Sequence, residues 1–247
     1  MSANGVGFTE SIVHARGSAY AYRTGMGMIP SAEFVVFMDD FLSAITTNVP
    51  TGWDAGLIDT GATMVADTTA GSLGASGVIL FDSDGATEGG VIYGEKQIQL
   101  TVGKKFWMEI RFQTEIADDS DVQFGLSALT AVTNPEDVWT TAADSLVAFG
   151  VLDGSAVTTM LSDSANTGSA AELGTISLSD ATWHTLAIFY DGLLLRGYVD
   201  GQQSILWSQA ATTIPTGVAL APFVGFRNGS AATTEGHCDY IRYVLER

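Results

Sequence analysis

Residues 183–201 read WHTLAIFYDGLLLRGYVDG, and their alternation decides the fold. Trp183, Thr185, Ala187 and Phe189 fall on one side of an extended chain, and His184, Leu186, Ile188 and Tyr190 on the other. Asp191-Gly192 interrupts this run. A second run, Leu193 to Val199, closes on Asp200-Gly201. Asp-Gly is a preferred dipeptide for tight turns that need positive φ, so the stretch predicts two antiparallel strands joined and ended by turns. His184 beside Trp183 raises a choice between chemistry and packing. His14 and His237 lie far off in sequence, and no Ser or Cys has a G-x-S-x-G context. His184 therefore reads as a strand residue whose ring packs and hydrogen-bonds.

The same texture extends from Phe34 to the C-terminus. Segments such as FVVFMDDF (34–41), KQIQLTV (96–102), KFWMEIRFQTEI (105–116), SLVAFGVL (145–152), VALAPFVGFRN (218–228) and HCDYIRYVLE (237–246) are rich in β-branched and aromatic residues. Clusters of Gly, Asp, Asn and Ser separate them. No amphipathic helical stretch of useful length stands out; VTNPEDVWTTAADS (132–145) has room for one turn. Many short strands without helices between them predict an all-β sandwich or barrel. The absence of an internal repeat disfavours propellers and solenoids. Residues 34–247 are thus expected to form one β domain.

Residues 1–33 differ. They mix Gly, Ser, Ala, Tyr, Met and Arg with neither a period of 2 nor one of 3.6, so they are expected to form an extended N-terminal arm without a core of its own. Arg16, Tyr20, Tyr22, Arg23, Met26 and Met28 suit a partner's surface better than open water.

Charge narrows the function classes. The chain of 247 residues carries 10 basic and 28 acidic residues, a net charge of −18, which argues against nucleic-acid partners. The arm is neutral, with Glu10 and Glu33 against Arg16 and Arg23, whereas Phe112 to Leu195 holds no Lys or Arg at all. The sandwich is expected to present a negative face to solvent. No apolar run reaches the roughly 18 to 20 residues of a membrane helix, and no secretory signal is expected from MSANGVGFTE. A single cysteine, Cys238, excludes an internal disulfide and reads as a small buried hydrophobe.

With these residues in place, the chain resembles concanavalin-like (laminin-G-like) jelly-roll β-sandwiches. The stretch at 183–201 is similar to that family's Trp-His strand and its Tyr-Val-Asp-Gly ending. Cys238 to Val244 resembles its last strand, and Trp107-x-Glu109-x-Arg111-Phe112 followed by Phe124-Gly125-Leu126 its central pair. The order of Phe37-Met38-Asp39-Asp40-Phe41-Leu42, Trp53 and these later motifs is similar to capsid-associated or decoration proteins of tailed bacteriophages. That resemblance implies a non-enzymatic virion structural protein. Its arm would bind a major capsid protein, and many copies or a homo-oligomer would sit on the outside of a symmetric shell assembled in the host cytoplasm, without nucleic acid or membrane.

Three chemistries compete with this expectation. A laminarinase-type glucanase, which shares the sandwich, would need a Glu-x-Asp-x-x-Glu strand; the compared strand has Arg111 at the Asp position, and Glu109 with Arg111 reads as a same-face pair. Calcium would be offered oxygens by Asp82-Ser83-Asp84 and by Asp118, Asp119 and Asp121, but such stretches also make ordinary turns. Glycan binding, the alternative function, would use exposed aromatics, with Trp53, Trp139 and Trp207 as candidate contacts, while Trp107 and Trp183 are expected in the core.

Overall fold

The structure is a computed structural model that describes residues 34–41, 52–58, 62–66, 77–83, 85–128, 145–164, 168–208, 213–229 and 233–247. Among them there is no α-helix, and fifteen strands carry the chain. They are β1 (Phe34–Asp39), β2 (Asp54–Ile58), β3 (Thr63–Ala66), β4 (Ile79–Ser83), β5 (Gly89–Tyr93), β6 (Phe106–Thr114), β7 (Ser120–Ser127) and β8 (Ser145–Leu152). After these come β9 (Ser155–Ser164), β10 (Gly168–Ser177), β11 (His184–Tyr190), β12 (Leu195–Val199), β13 (Gln202–Leu206), β14 (Ala221–Asn228) and β15 (Thr234–Glu246). One sheet runs β13-β12-β11-β6-β15-β4-β3, with β1 also on β15; the other runs β10-β9-β8-β7-β14-β5-β2.

The opening stretch forms β11 and β12 as its alternation requires. Leu186, Ile188 and Tyr190 are buried in the main core, and Tyr190 lies opposite Leu195 across the turn. Asp191 Oδ1 accepts the backbone N–H groups of Leu193 and Leu194 at 2.9 and 2.8 Å, folding the loop onto its own carboxylate. Gly192 has φ 100°, and a Cβ there would lie 2.7 Å from the Gly103 Cα, so only glycine fits. At the second turn Asp200 (φ 45°) and Gly201 (φ 93°) both take positive φ, the signature of a type I′ hairpin between β12 and β13.

His184 belongs to this turn. Its Nε2 accepts the Ser179 N–H at 3.0 Å, so Nδ1 carries the proton and donates to Asp200 Oδ2 at 2.6 Å. Asp200 Oδ1 accepts the Thr185 N–H at 2.7 Å. Burial pushes the Asp200 carboxyl up, but the hydrogen bonds from His184 and Thr185 outweigh it, holding the carboxyl below its ordinary 3.8. A folded-state value below the unfolded one adds stability above pH 3.8, lost as pH falls through the folded value. Asp200→Asn is therefore expected to lower the melting temperature at pH 7, with the gap from wild type closing below pH 3.8. The side chain is about half exposed, so solvent screening limits the loss to about 1 kcal/mol or less. Melting curves from pH 7 to 2.5 check this; a gap that widens on acidification would contradict it.

The core lies between the sheets. Val122, Phe124 and Leu126 of β7, with Val147, Phe149 and Val151 of β8, meet Met108, Ile110 and Phe112 of β6. The alternate residues of the second sheet form a separate buried cluster of Val91, Leu146, Ala148, Leu161 and Phe223, so its other face is buried too. Both faces of β7 are closed, and the strand is buried from end to end.

Several expectations change. KQIQLTV makes no strand; it touches the rest through single bridges, Ile98 to Leu220 and Leu100 to Thr216. β2 and β5 were not among the expected strands; in β5, Gly89 and Gly90 remove the β-branched signal where neighbours press close, since a Cβ on Gly90 would lie 2.8 Å from Met64 Sδ. Trp107 is buried, but on the face opposite the main core, against Phe189 and Tyr198 at 6.0 and 5.8 Å. Trp183 is only partly buried and lies beneath Arg111, whose guanidinium is 4.5 Å from the ring centre. Glu109 and Arg111 share a face but do not pair, since a neighbouring strand brings each a closer partner: Arg242 Nη2 reaches Glu109 Oε1 at 2.6 Å, and Asp239 Oδ2 reaches Arg111 Nη1 at 2.8 Å.

Candidate functional site

At one end of the sandwich the sheets leave a cavity of about 140 Å³ lined by Phe37, Trp53, Tyr243 and Pro222, with Gly52, Gly94, Glu95 and Gln97 completing its wall. Its parts come from both layers. Phe37 on β1 lies opposite Tyr243 on β15, and their rings stack at 4.9 Å. Trp53 enters just before β2 and meets Phe37 edge-on at 6.1 Å. Its indole Nε1 donates to Asp39 Oδ2 at 2.7 Å, while Asp39 Oδ1 accepts the Phe41 N–H, also at 2.7 Å. One carboxylate at the end of β1 thus locks the tryptophan in place.

The polar side comes from the segment after β5. Gly94 N–H donates to Pro222 O at 2.9 Å. A Cβ on Gly94 would lie 3.0 Å from Pro222 Cγ and 3.7 Å from Trp53 Cζ3, so glycine keeps the floor open. Beyond it, Gln97 Nε2 donates to Glu95 Oε2 at 2.5 Å, and both side chains are exposed. Burial pushes the Tyr243 phenol up, so it remains neutral at physiological pH. Aromatic rings over a few placed polar groups are the usual make-up of a small-ligand pocket.

The structure sorts the sequence candidates. Trp53 lines this pocket, but it is not the exposed aromatic expected: it is 7% exposed and packs into the main core, with only the edge that borders the cavity left open. Trp207 is buried in the core, 1% exposed, with Nε1 donating to Thr213 Oγ1 at 3.3 Å, so it offers no surface to a sugar. Trp139 and the arm residues Arg16, Tyr20, Tyr22, Arg23, Met26 and Met28 lie outside the described residues. Asp121 is no free metal ligand: Oδ2 pairs with the Arg227 guanidinium, and Oδ1 accepts the Asp153 N–H at 2.8 Å. Asp118 and Asp119 are in the turn before β7, where their backbone carbonyls accept the N–H groups of Gly154 and Gly229. Among the described residues no group of three or more His, Cys, Asp or Glu could hold a metal ion. Cys238 is buried, and burial pushes its thiol well above the ordinary range. Glu95, Gln97, Phe37 and Tyr243 were not foreseen as site residues, because residues 94–97 form no strand and the pocket joins segments far apart in sequence.

No protein-family model matches the chain, and no curated protein matches its sequence. Solved structures do resemble it. The carbohydrate recognition domain of Emp47p superposes with a TM-score of 0.57 at 15% identity, over 87% of this chain and 98% of that one. The Bacillus licheniformis β-glucanase gives 0.52 at 17% identity over 84% and 97%. The laminarinase catalytic domain from Thermotoga maritima gives 0.54 at 12% identity over 87% and 99%. These neighbours lend no support to the phage part of the resemblance. They also correct the expectation of a non-enzymatic chain, since glucanases share its fold and the architecture gives no argument against an enzyme. What the likeness shows is the fold: a concanavalin-like jelly-roll β-sandwich.

Proposed function

We propose that the chain is a carbohydrate-binding sandwich that seats a sugar ring in the Trp53 pocket. The observation that carries this reading is the cavity itself, where three aromatic side chains face an exposed carboxylate and an exposed amide. Sugars present apolar C–H faces to aromatic rings and hydroxyls to carboxylates and amides. A cavity of about 150 Å³ takes a benzene ring, so one of 140 Å³ seats the face of a single pyranose ring, whose hydroxyls reach out past Glu95 and Gln97 to solvent. The neighbours add support, because their names specify carbohydrate recognition, β-glucanase and laminarinase.

A glycan array followed by calorimetry tests the reading. Saturable binding is expected for at least one glycan class. Gln97→Ala, an exposed substitution that should leave the fold intact, is expected to weaken it about tenfold, the loss of roughly 1.4 kcal/mol in a hydrogen bond to the ligand. Because glucanases share the fold, release of reducing sugar from laminarin is followed in the same samples. Absence of binding to every glycan class would refute the proposal.

A further inference from the structure

The ligand can be narrowed further, on the footing that the Trp53 pocket binds sugars. We infer that it selects a sugar bearing a free amino group, held as its ammonium ion between Glu95 and the aromatic wall. Among the described residues whose side chains line the cavity, the only formal charge is the Glu95 carboxylate. Lys96, between Glu95 and Gln97 in sequence, does not line it. Gln97 engages Glu95 Oε2 and leaves Oε1 for a ligand donor. A cation within a few ångströms of a carboxylate is favoured over a neutral group, and over an aromatic face it gains the attraction of the ring quadrupole.

The arrangement behind Trp53 strengthens this preference. Its N–H is donated to the Asp39 carboxylate, which pushes electron density onto the indole, the best of the aromatic faces for a cation. The tryptophan thus has no donor left for a ligand carboxylate or hydroxyl. The chain as a whole, with a net charge of −18, attracts cations and repels acidic sugars. An N-acetyl group would remove the ligand's charge and add bulk to a cavity sized for one ring.

Calorimetry on the full chain at pH 6 and low salt compares three probes of equal length: the trisaccharide of glucosamine, its fully N-acetylated counterpart, and cellotriose. The amino trisaccharide is expected to bind about tenfold tighter than either, the scale of one partly desolvated cation–π and carboxylate contact. In Glu95→Gln, whose unchanged circular dichroism confirms folding, the preference is expected to fall to about twofold. Equal binding of all three probes would overturn the inference while leaving the sugar-binding reading in place. A preference that survives in Glu95→Gln would overturn it as well, by removing the carboxylate as its source. Failure of all three probes together with the whole glycan array would overturn both.

Discussion

Arg242→Met is expected to destabilise the protein by about 3–5 kcal/mol, the cost of leaving one member of a buried ion pair alone. Glu109 on β6 lies opposite Arg242 on β15, and their side chains are 0% and 3% exposed. Arg242 Nη2 meets Glu109 Oε1 at 2.6 Å, and Tyr240 Oη donates to the same oxygen at 2.5 Å. Oε2 has no hydrogen-bond partner, so this carboxylate already carries part of its desolvation cost uncompensated. Removing the guanidinium leaves only the tyrosine hydroxyl to hold a buried negative charge. The double variant Glu109→Leu with Arg242→Met should recover most of the loss, because apolar residues of similar volume replace buried ion pairs at little cost. Urea unfolding of wild type, both single variants and the double gives the coupling directly. A loss below about 1 kcal/mol in Arg242→Met, on the scale of an exposed pair, would mean the pair is hydrated and not sealed.

The same pair shows how far the sequence could be read. Trp107, Glu109 and Arg111 share one face of β6, and alternation says so. It does not say which strand comes to lie beside β6. Glu109 and Arg111 are close enough along the chain to suggest a pair, yet β15 supplies each a nearer partner from more than a hundred residues away. Local pattern records the face of a residue; partners across a sheet are set by topology, which is non-local. The turns were legible for the opposite reason. At Asp200-Gly201 the need for positive φ at two successive residues is met by the chain's own chemistry and by no distant neighbour.

The candidate site was legible only in its tryptophan. Trp53 and Trp207 were both marked as exposed aromatics, and both are buried in the core; Trp53 alone also lines the cavity. Nothing local separates the two. The difference is that Trp53 sits where β1 and β15 of one sheet meet the start of β2 and the end of β5 from the other. Gly94 is there the residue that leaves the cavity unfilled. Charge was informative in bulk and misleading in detail: the basic-free stretch is real, but four of the described arginines are paired within the sandwich, two of them with carboxylates almost wholly buried.

Phe226→Ala is expected to cost about 3–5 kcal/mol, and Gly236→Ala about 1–3 kcal/mol for the opposite reason. Phe226 of β14 is fully buried and bridges the layers, its ring 6.3 Å from that of Phe81 on β4 and 6.4 Å from that of Phe112 on β6. Alanine there leaves a cavity under two rings that belong to the facing sheet and have little freedom to collapse into it. Gly236 on β15 is at the same spot. A Cβ there would lie 2.5 Å from Phe226 Cδ2 and 2.8 Å from Phe112 Cζ, so a methyl group overpacks what the phenyl already fills. Emptying the ring and adding the methyl are therefore coupled changes. Phe226→Ala with Gly236→Ala should cost less than the sum of the two single changes by about 0.5–3 kcal/mol, since the added methyl occupies part of the void. Strict additivity in denaturant melts with unchanged m-values would show that Phe112 alone absorbs the glycine's methyl, and would move the tightest point of the core from the inter-sheet contact to β6 itself.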